Sequence, residues 1–209
     1  MRKLALIASV SVALVACEDT QSPRAATAQL DAALESALDD ASASPRQDAA
    51  ADRPARARGP LVEPELWEVV AEADDPFTDR LPDASCPEDA YMFELLANEP
   101  VFSVDTGRCN YITARQPALR AVDEGETLVA RIWHFALNAG ESARAHVALR
   151  INESDVLDES VPIPSEGGLI AVEVEAKEAY PEGTPVFFHL HNHGDNSWSL
   201  VELSAGPKP

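Results

Sequence analysis

The chain has 209 residues, enough for one domain with appendages, and carries 16 basic against 36 acidic residues, a formal charge of −20. Residues 61–209 alone hold nine basic and 28 acidic residues, net −19, so the acidity belongs to the part expected to fold. Such a surface repels phosphate backbones and anionic lipid faces, which argues against nucleic acid as a partner. It attracts cations or basic ligands, or serves only as a solvated, repulsive coat.

Met1-Arg2-Lys3 is a short basic segment, and residues 4–16 (LALIASVSVALVA) are uninterrupted by charge. A spanning helix needs roughly 20 apolar residues, so the shorter run predicts a secretory leader. It ends in Leu14-Val15-Ala16-Cys17. This ending resembles the bacterial lipobox, a small-residue cleavage site placed directly before a cysteine. The resemblance implies a signal peptide over residues 1–16, a diacylglycerol thioether on Cys17, and acylation, palmitate included, of the new amino terminus. The expected address is then the bacterial cell envelope, the outer membrane rather than the inner. The expected partner is the membrane itself, reached through the lipid anchor. Each buried methylene of such an anchor adds about 0.8 kcal/mol.

From the lipidated Cys17 through residue 60 the chain is rich in Ala, Asp, Ser, Arg and Pro and holds no aromatic residue. Such a stretch cannot bury enough apolar area to offset its ordering entropy, and it reads as a flexible linker. Leu30, Leu34 and Leu38 share a helical stripe, but a lone stripe without a partner is marginal in water. Residues 61–80 fit either a short helix docked on the domain or a first strand, through Leu66, Trp67, Val69 and Val70.

Residues 61–209 are expected to form the domain, with the period changing to two from residue 90 on. Val147, Leu149 and Ile151 alternate with His146 and Arg150; Ile170, Val172 and Val174 alternate with Glu173 and Glu175. Val186, Phe188 and Leu190 alternate with His189 and His191. This is the pattern of strands with one face buried. Further strands are predicted over 91–96, 101–105, 110–113, 127–137 and 196–204, with turn residues between them. The fold class is therefore all-β, a β-sandwich of about eight strands, jelly-roll-like or immunoglobulin-like. In an oxidising compartment Cys86 and Cys109 are expected to pair.

The stretch 187–198 (FFHLHNHGDNSW) is the most informative. His189, His191 and His193 lie two apart, and on a strand they share a face with neighbours roughly 7 Å apart. Imidazole is the commonest metal ligand. The predicted metal set is His189, His191, His193 and His134, with His146 or Asp195 as other completing ligands and zinc or calcium as the divalent ion. The alternative reading is structural: neutral histidines bonding along the strand, with residues 192–196 as a hairpin turn and His193 inside it.

Gly183, His189, His191 and Asp195 are similar in part to the cupin family's Gly-x5-His-x-His-x3,4-Glu element, and His134 with Asn138 to its His-x3-Asn element. That resemblance implies a metal-holding jelly-roll barrel. This chain departs from it: Asp195 stands for Glu, the two elements come in reverse order, and the Pro-x-Gly part is absent.

A second candidate is a ligand-binding surface built from Trp198, Asn192, Asp195 and Asn196, with Trp198 as the exposed platform and Trp133 assigned to the core. Aromatic faces beside amide groups look, in general terms, like carbohydrate-binding β-sandwiches. No Gly-x-Ser-x-Gly elbow, phosphate-cradling loop or HExxH occurs, which lowers the case for an enzyme. Three functions stay open: an envelope binding module for glycan, peptide or protein; a metal-binding protein or metalloenzyme; and a structural lipoprotein with no small ligand.

Overall fold

The structure is a computed structural model that describes residues 56–208. The leader, Cys17 and the linker up to residue 55 lie outside the described residues.

Among the described residues, eleven strands form two antiparallel sheets. They are β1 (Gly59–Pro60), β2 (Glu68–Val69), β3 (Tyr91–Leu96), β4 (Glu99–Asp105), β5 (Tyr111–Pro117) and β6 (Thr127–His134). Then come β7 (Ala143–Ile151), β8 (Ser154–Ile163), β9 (Gly168–Glu175), β10 (Pro185–His191) and β11 (Ser197–Gly206). Sheet I runs β3-β4-β11-β6-β9, with β1 added on β11; sheet II runs β2-β5-β10-β7-β8. From β4 to β11 the chain changes sheet at every connection except the β7–β8 hairpin. Of the two sandwich orders expected, this is the jelly roll.

Period two builds the core. Val186, Phe188 and Leu190 of β10 and Val147, Leu149 and Ile151 of β7 point inward from sheet II, and all six are at most 1% exposed. Phe102, Val104, Leu128, Ala130 and Ile132 meet them from sheet I. The segment before β3 closes one side. It pairs with Ser204 and Ala205 through β1, then drives Trp67 between the sheets against Phe102 and Phe188, with ring centroids 5.8 and 6.2 Å away. Both expectations for residues 61–80 hold in part: two 3-10 turns (Pro64–Leu66, Glu72–Asp74) flank the short strand β2. The ordered domain also reaches back past residue 61, because Gly59 and Pro60 already belong to sheet I.

Strand β8 is absent from the expectations. Its adjacent Val156 and Leu157 are both buried, and Asp155, Asp158 and Glu159 interrupt the rest, so the alternation is broken. It is an edge strand, paired with β7 across a bulge between Leu149 and Arg150.

Cys86 and Cys109 form a disulfide with a sequence separation of 23. It ties the approach to β3 to the loop before β5. By loop-closure entropy, the double variant Cys86→Ser/Cys109→Ser is expected to lose about 3 kcal/mol of unfolding free energy in urea. A loss under about 0.5 kcal/mol would show that the crosslink is not what constrains this segment.

Candidate functional site

The strand that carries the histidines sets their directions. Because Val186, Phe188 and Leu190 face the core, Phe187, His189 and His191 face out from sheet II. Register places Tyr111 and His146 beside His191, and Thr113 and Ala148 beside His189. An outward residue in the middle of a sheet is normally wet, yet His189 is 0% exposed.

The cover is the strap formed by residues 75–80. Phe77 stacks on the His189 ring, centroids 4.1 Å apart at 14°, and Arg150 lies over the Phe77 ring at 4.5 Å. Two aspartates fasten the strap. The Asp75 carboxylate accepts from the Phe77 backbone N–H (3.1 Å), Thr113 Oγ1 (3.0 Å), Tyr111 OH (2.8 Å) and Arg80 Nη1 (3.3 Å). The Asp79 carboxylate faces three imidazoles: Oδ2 lies 2.8 Å from His146 Nδ1, 3.3 Å from His189 Nε2 and 3.0 Å from His191 Nδ1.

Burial would push the Asp79 carboxyl up, but the imidazoles of His189, His146 and His191 outweigh it and hold it well below the usual carboxylate range. Burial pushes the His189 imidazole down, against the opposing pull of Asp79. Burial and the hydrogen bond to Asp75 push the Tyr111 phenol up. These shifts favour an ionised Asp79 carboxylate, a neutral His189 imidazole and a protonated Tyr111 phenol.

The sequence-based metal set is partly regrouped. His189 and His191 come together as expected, and His146 joins them from β7. Asp79 is the member of this cluster that sequence reasoning missed; it lies 110 residues from His189, and nothing local marks it among so many acids. His134 does not belong. It lies on sheet I and faces inward against Trp198, ring centroids 4.7 Å apart, with Nδ1 3.0 Å from the Phe135 carbonyl oxygen. His193 does not belong either. The strand ends at His191, so His193 is an exposed turn residue leaning on the His191 ring at 4.6 Å.

The expected ligand set is also redistributed. Trp198 is 0% exposed and is a core residue, so it is no platform. Trp133 is the outward one: Leu128, Ala130 and Ile132 fix the inward parity of β6 and leave Trp133 half-buried on the outer face of sheet I. Asn192 and Asp195 line a polar cavity of about 320 Å³ with Asn110, Asn138 and His193, at the end of the sandwich. Asn196 sits beside it, its amide donating to the Ala136 carbonyl at 2.6 Å.

The outer face of sheet I carries a row that follows from register: Met92, Ser103, Ser199, Trp133 and Leu169 lie side by side on β3, β4, β11, β6 and β9. Ser103 and Ser199 hydrogen-bond to each other at 2.8 Å and form a low floor. Met92 and Leu169 are exposed, and exposed Phe135 meets Trp133 edge-on at 6.2 Å. The Arg131–Glu202 ion pair, 3.0 Å, flanks the row.

No protein-family model matches the chain, and no curated protein matches it. Solved structures do align with it. The module described as TmCBM27, in a study of specific mannan recognition, is 10% identical with a TM-score of 0.45, covering 74% of this chain and 98% of its own. A CBM35 module from Paenibacillus barcinonensis is 11% identical with a TM-score of 0.36, covering 72% and 100%. TmCBM61, solved with β-1,4-galactotriose, is 8% identical with a TM-score of 0.40, covering 70% and 91%. The superpositions are partial, and the jelly-roll assignment stands on the strand order.

Asp75 is the strap's anchor, its side chain 2% exposed. Asp75→Ala strands two buried hydroxyls and a guanidinium, and is expected to lower unfolding free energy by about 3 kcal/mol in urea. A cost near zero would mean the strap is not fastened there.

Proposed function

We propose that this chain is an exported, lipid-anchored binding module of the bacterial cell envelope that takes a glycan on the outer face of sheet I. The observation that carries the reading is the row centred on Trp133. A half-buried indole beside exposed Phe135 and Leu169 supplies an apolar platform, and the paired small serines separate it from exposed Met92 at the far end of the row. The apolar face of a sugar ring stacks on such a platform while its hydroxyls reach polar groups. Arg131 and Glu202 stand within the same face to serve them. The row spans five strands, so the platform is built on rigid elements.

The anchor rests on the lipobox at Leu14-Val15-Ala16-Cys17. It would hold the module at a membrane, the outer one in this reading, on a spacer rich in Ala and Pro. Peptide and protein partners are the competing occupants of the same face.

Two measurements test the reading. Trp133→Ala is expected to weaken binding in a polysaccharide array or affinity electrophoresis by about tenfold, a loss of about 1.4 kcal/mol, with the far-UV spectrum unchanged. Wild-type protein that binds no envelope or extracellular polysaccharide, or a variant that binds as well as wild type, contradicts it. For the anchor, the full chain expressed in a bacterium is expected to partition into detergent and to show a mass lacking residues 1–16 and carrying acyl chains. Cys17→Ala should move it to the aqueous phase; an intact methionine terminus on the native protein contradicts the anchor.

A further inference from the structure

With His189 neutral, the form its burial favours, the hydrogen bonds beneath the strap do not all close. Thr113 has one hydroxyl proton, and the Asp75 carboxylate, an acceptor only, takes it at 3.0 Å. His189 Nδ1, 3.0 Å from the same Thr113 oxygen, must then be the donor between them. A neutral His189 fixed in that tautomer has a bare Nε2. That lone pair points at Asp79, 3.3 Å from both carboxylate oxygens. Two acceptors thus face each other at a fully buried ring.

His146 converges on the same carboxylate: its Nδ1 lies 2.8 Å from Asp79 Oδ2, and its Nε2 lies 3.3 Å from the carboxylate of Asp158 on β8. His191 brings Nδ1 to 3.0 Å of the same oxygen. One oxygen of Asp79 is also buried with no hydrogen-bond partner, as is His191 Nε2. The convergence calls for a cation at the common point.

We propose that Asp79, His146, His189 and His191 form a site for a divalent first-row transition ion, zinc in type, that clamps the 75–80 strap to sheet II. The donor set selects this class: three imidazole nitrogens and one carboxylate oxygen suit zinc or copper, whereas calcium takes an all-oxygen shell. One ligand atom from each of Asp79, His146 and His189 lies within 4.8 Å of the others, close enough to share an ion. His189 already has the outer partner that metal-bound histidines use, Thr113 backed by Asp75, and His146 Nε2 has the Asp158 carboxylate 3.3 Å away. Asp79, His146 and His189 make the compact group, and His191 Nδ1, 3.0 Å from Asp79 Oδ2, would close the shell as a fourth ligand, which makes the proposed site structural in type. Its ligands come from three places, the strap, β7 and β10, so the ion ties the strap to the sheet. The inference is independent of the glycan face, which lies on the other sheet.

The test uses the full chain, dialysed against chelator and then titrated with zinc, cobalt(II) or copper(II) by calorimetry and visible spectroscopy. One equivalent of zinc should bind, cobalt should give a tetrahedral ligand-field spectrum, and zinc should raise Tm. Asp79→Asn and His189→Gln should each weaken zinc at least tenfold, while His193→Gln, a turn residue outside the cluster, should not. Where His189→Gln fails to fold, His191→Asn takes its place with the same expected loss. Wild type that takes up no stoichiometric metal and shows no Tm change overturns the proposal and leaves a proton-sharing network. Binding that survives in Asp79→Asn, or is lost only in His193→Gln, overturns it equally.

Discussion

The alternation of β10 governs the rest of this molecule. Val186, Phe188 and Leu190 can only enter the core together, and the pleat then commits His189 and His191 to the outer face. Bare imidazoles in the middle of a sheet would ordinarily meet water. Here a strap from the segment before β3 comes down on them, stacking Phe77 on His189 and bringing in the Asp75 and Asp79 carboxylates. Burying two carboxylates is costly unless nearly every lone pair finds a partner. Asp75 meets that condition with four donors. Asp79, its side chain 32% exposed, does not: β7 and β10 bring three imidazoles to it, yet one of its oxygens has no hydrogen-bond partner.

The two sheets thereby acquire different outer faces from the same pleat. Sheet II is covered, polar beneath its cover, and organised around titratable groups. Sheet I is open, with Trp133, Met92 and Leu169 rising around a serine floor. Solvent-exposed apolar groups scattered singly need no explanation, but Met92, Trp133 and Leu169 share one register row across the sheet, with Phe135 against Trp133. The division of labour follows from which residues share parity with the core, and it needs no separate device.

Much of the fold was legible in the sequence. The runs at 145–151, 170–175 and 186–190 alternate cleanly, and each lies in a strand. Strand β8 escaped because an edge strand buries little, and a bulge with adjacent buried Val156 and Leu157 erases its period. The tryptophans were assigned the wrong way round for want of parity. Leu128, Ala130 and Ile132 already placed Trp133 outside, and Leu200 shares its face with Trp198. The pairing of His189 with His191 was readable from spacing two. Asp79 was not, since sequence marks neither the strap's docking nor which of 36 acids it would bring to the histidines. Long-range register, not local pattern, also selected His146 and removed His134.

The central claim is that a cation sits where Asp79 meets the imidazoles of His146, His189 and His191. Anomalous diffraction at the zinc edge from crystals of the zinc-treated protein tests it most directly. The account predicts one strong peak beneath Phe77, about 2.0–2.2 Å from the Asp79 oxygen and the imidazole nitrogens. A map with no peak there, and with the carboxylate still bonded directly to the rings, would contradict it.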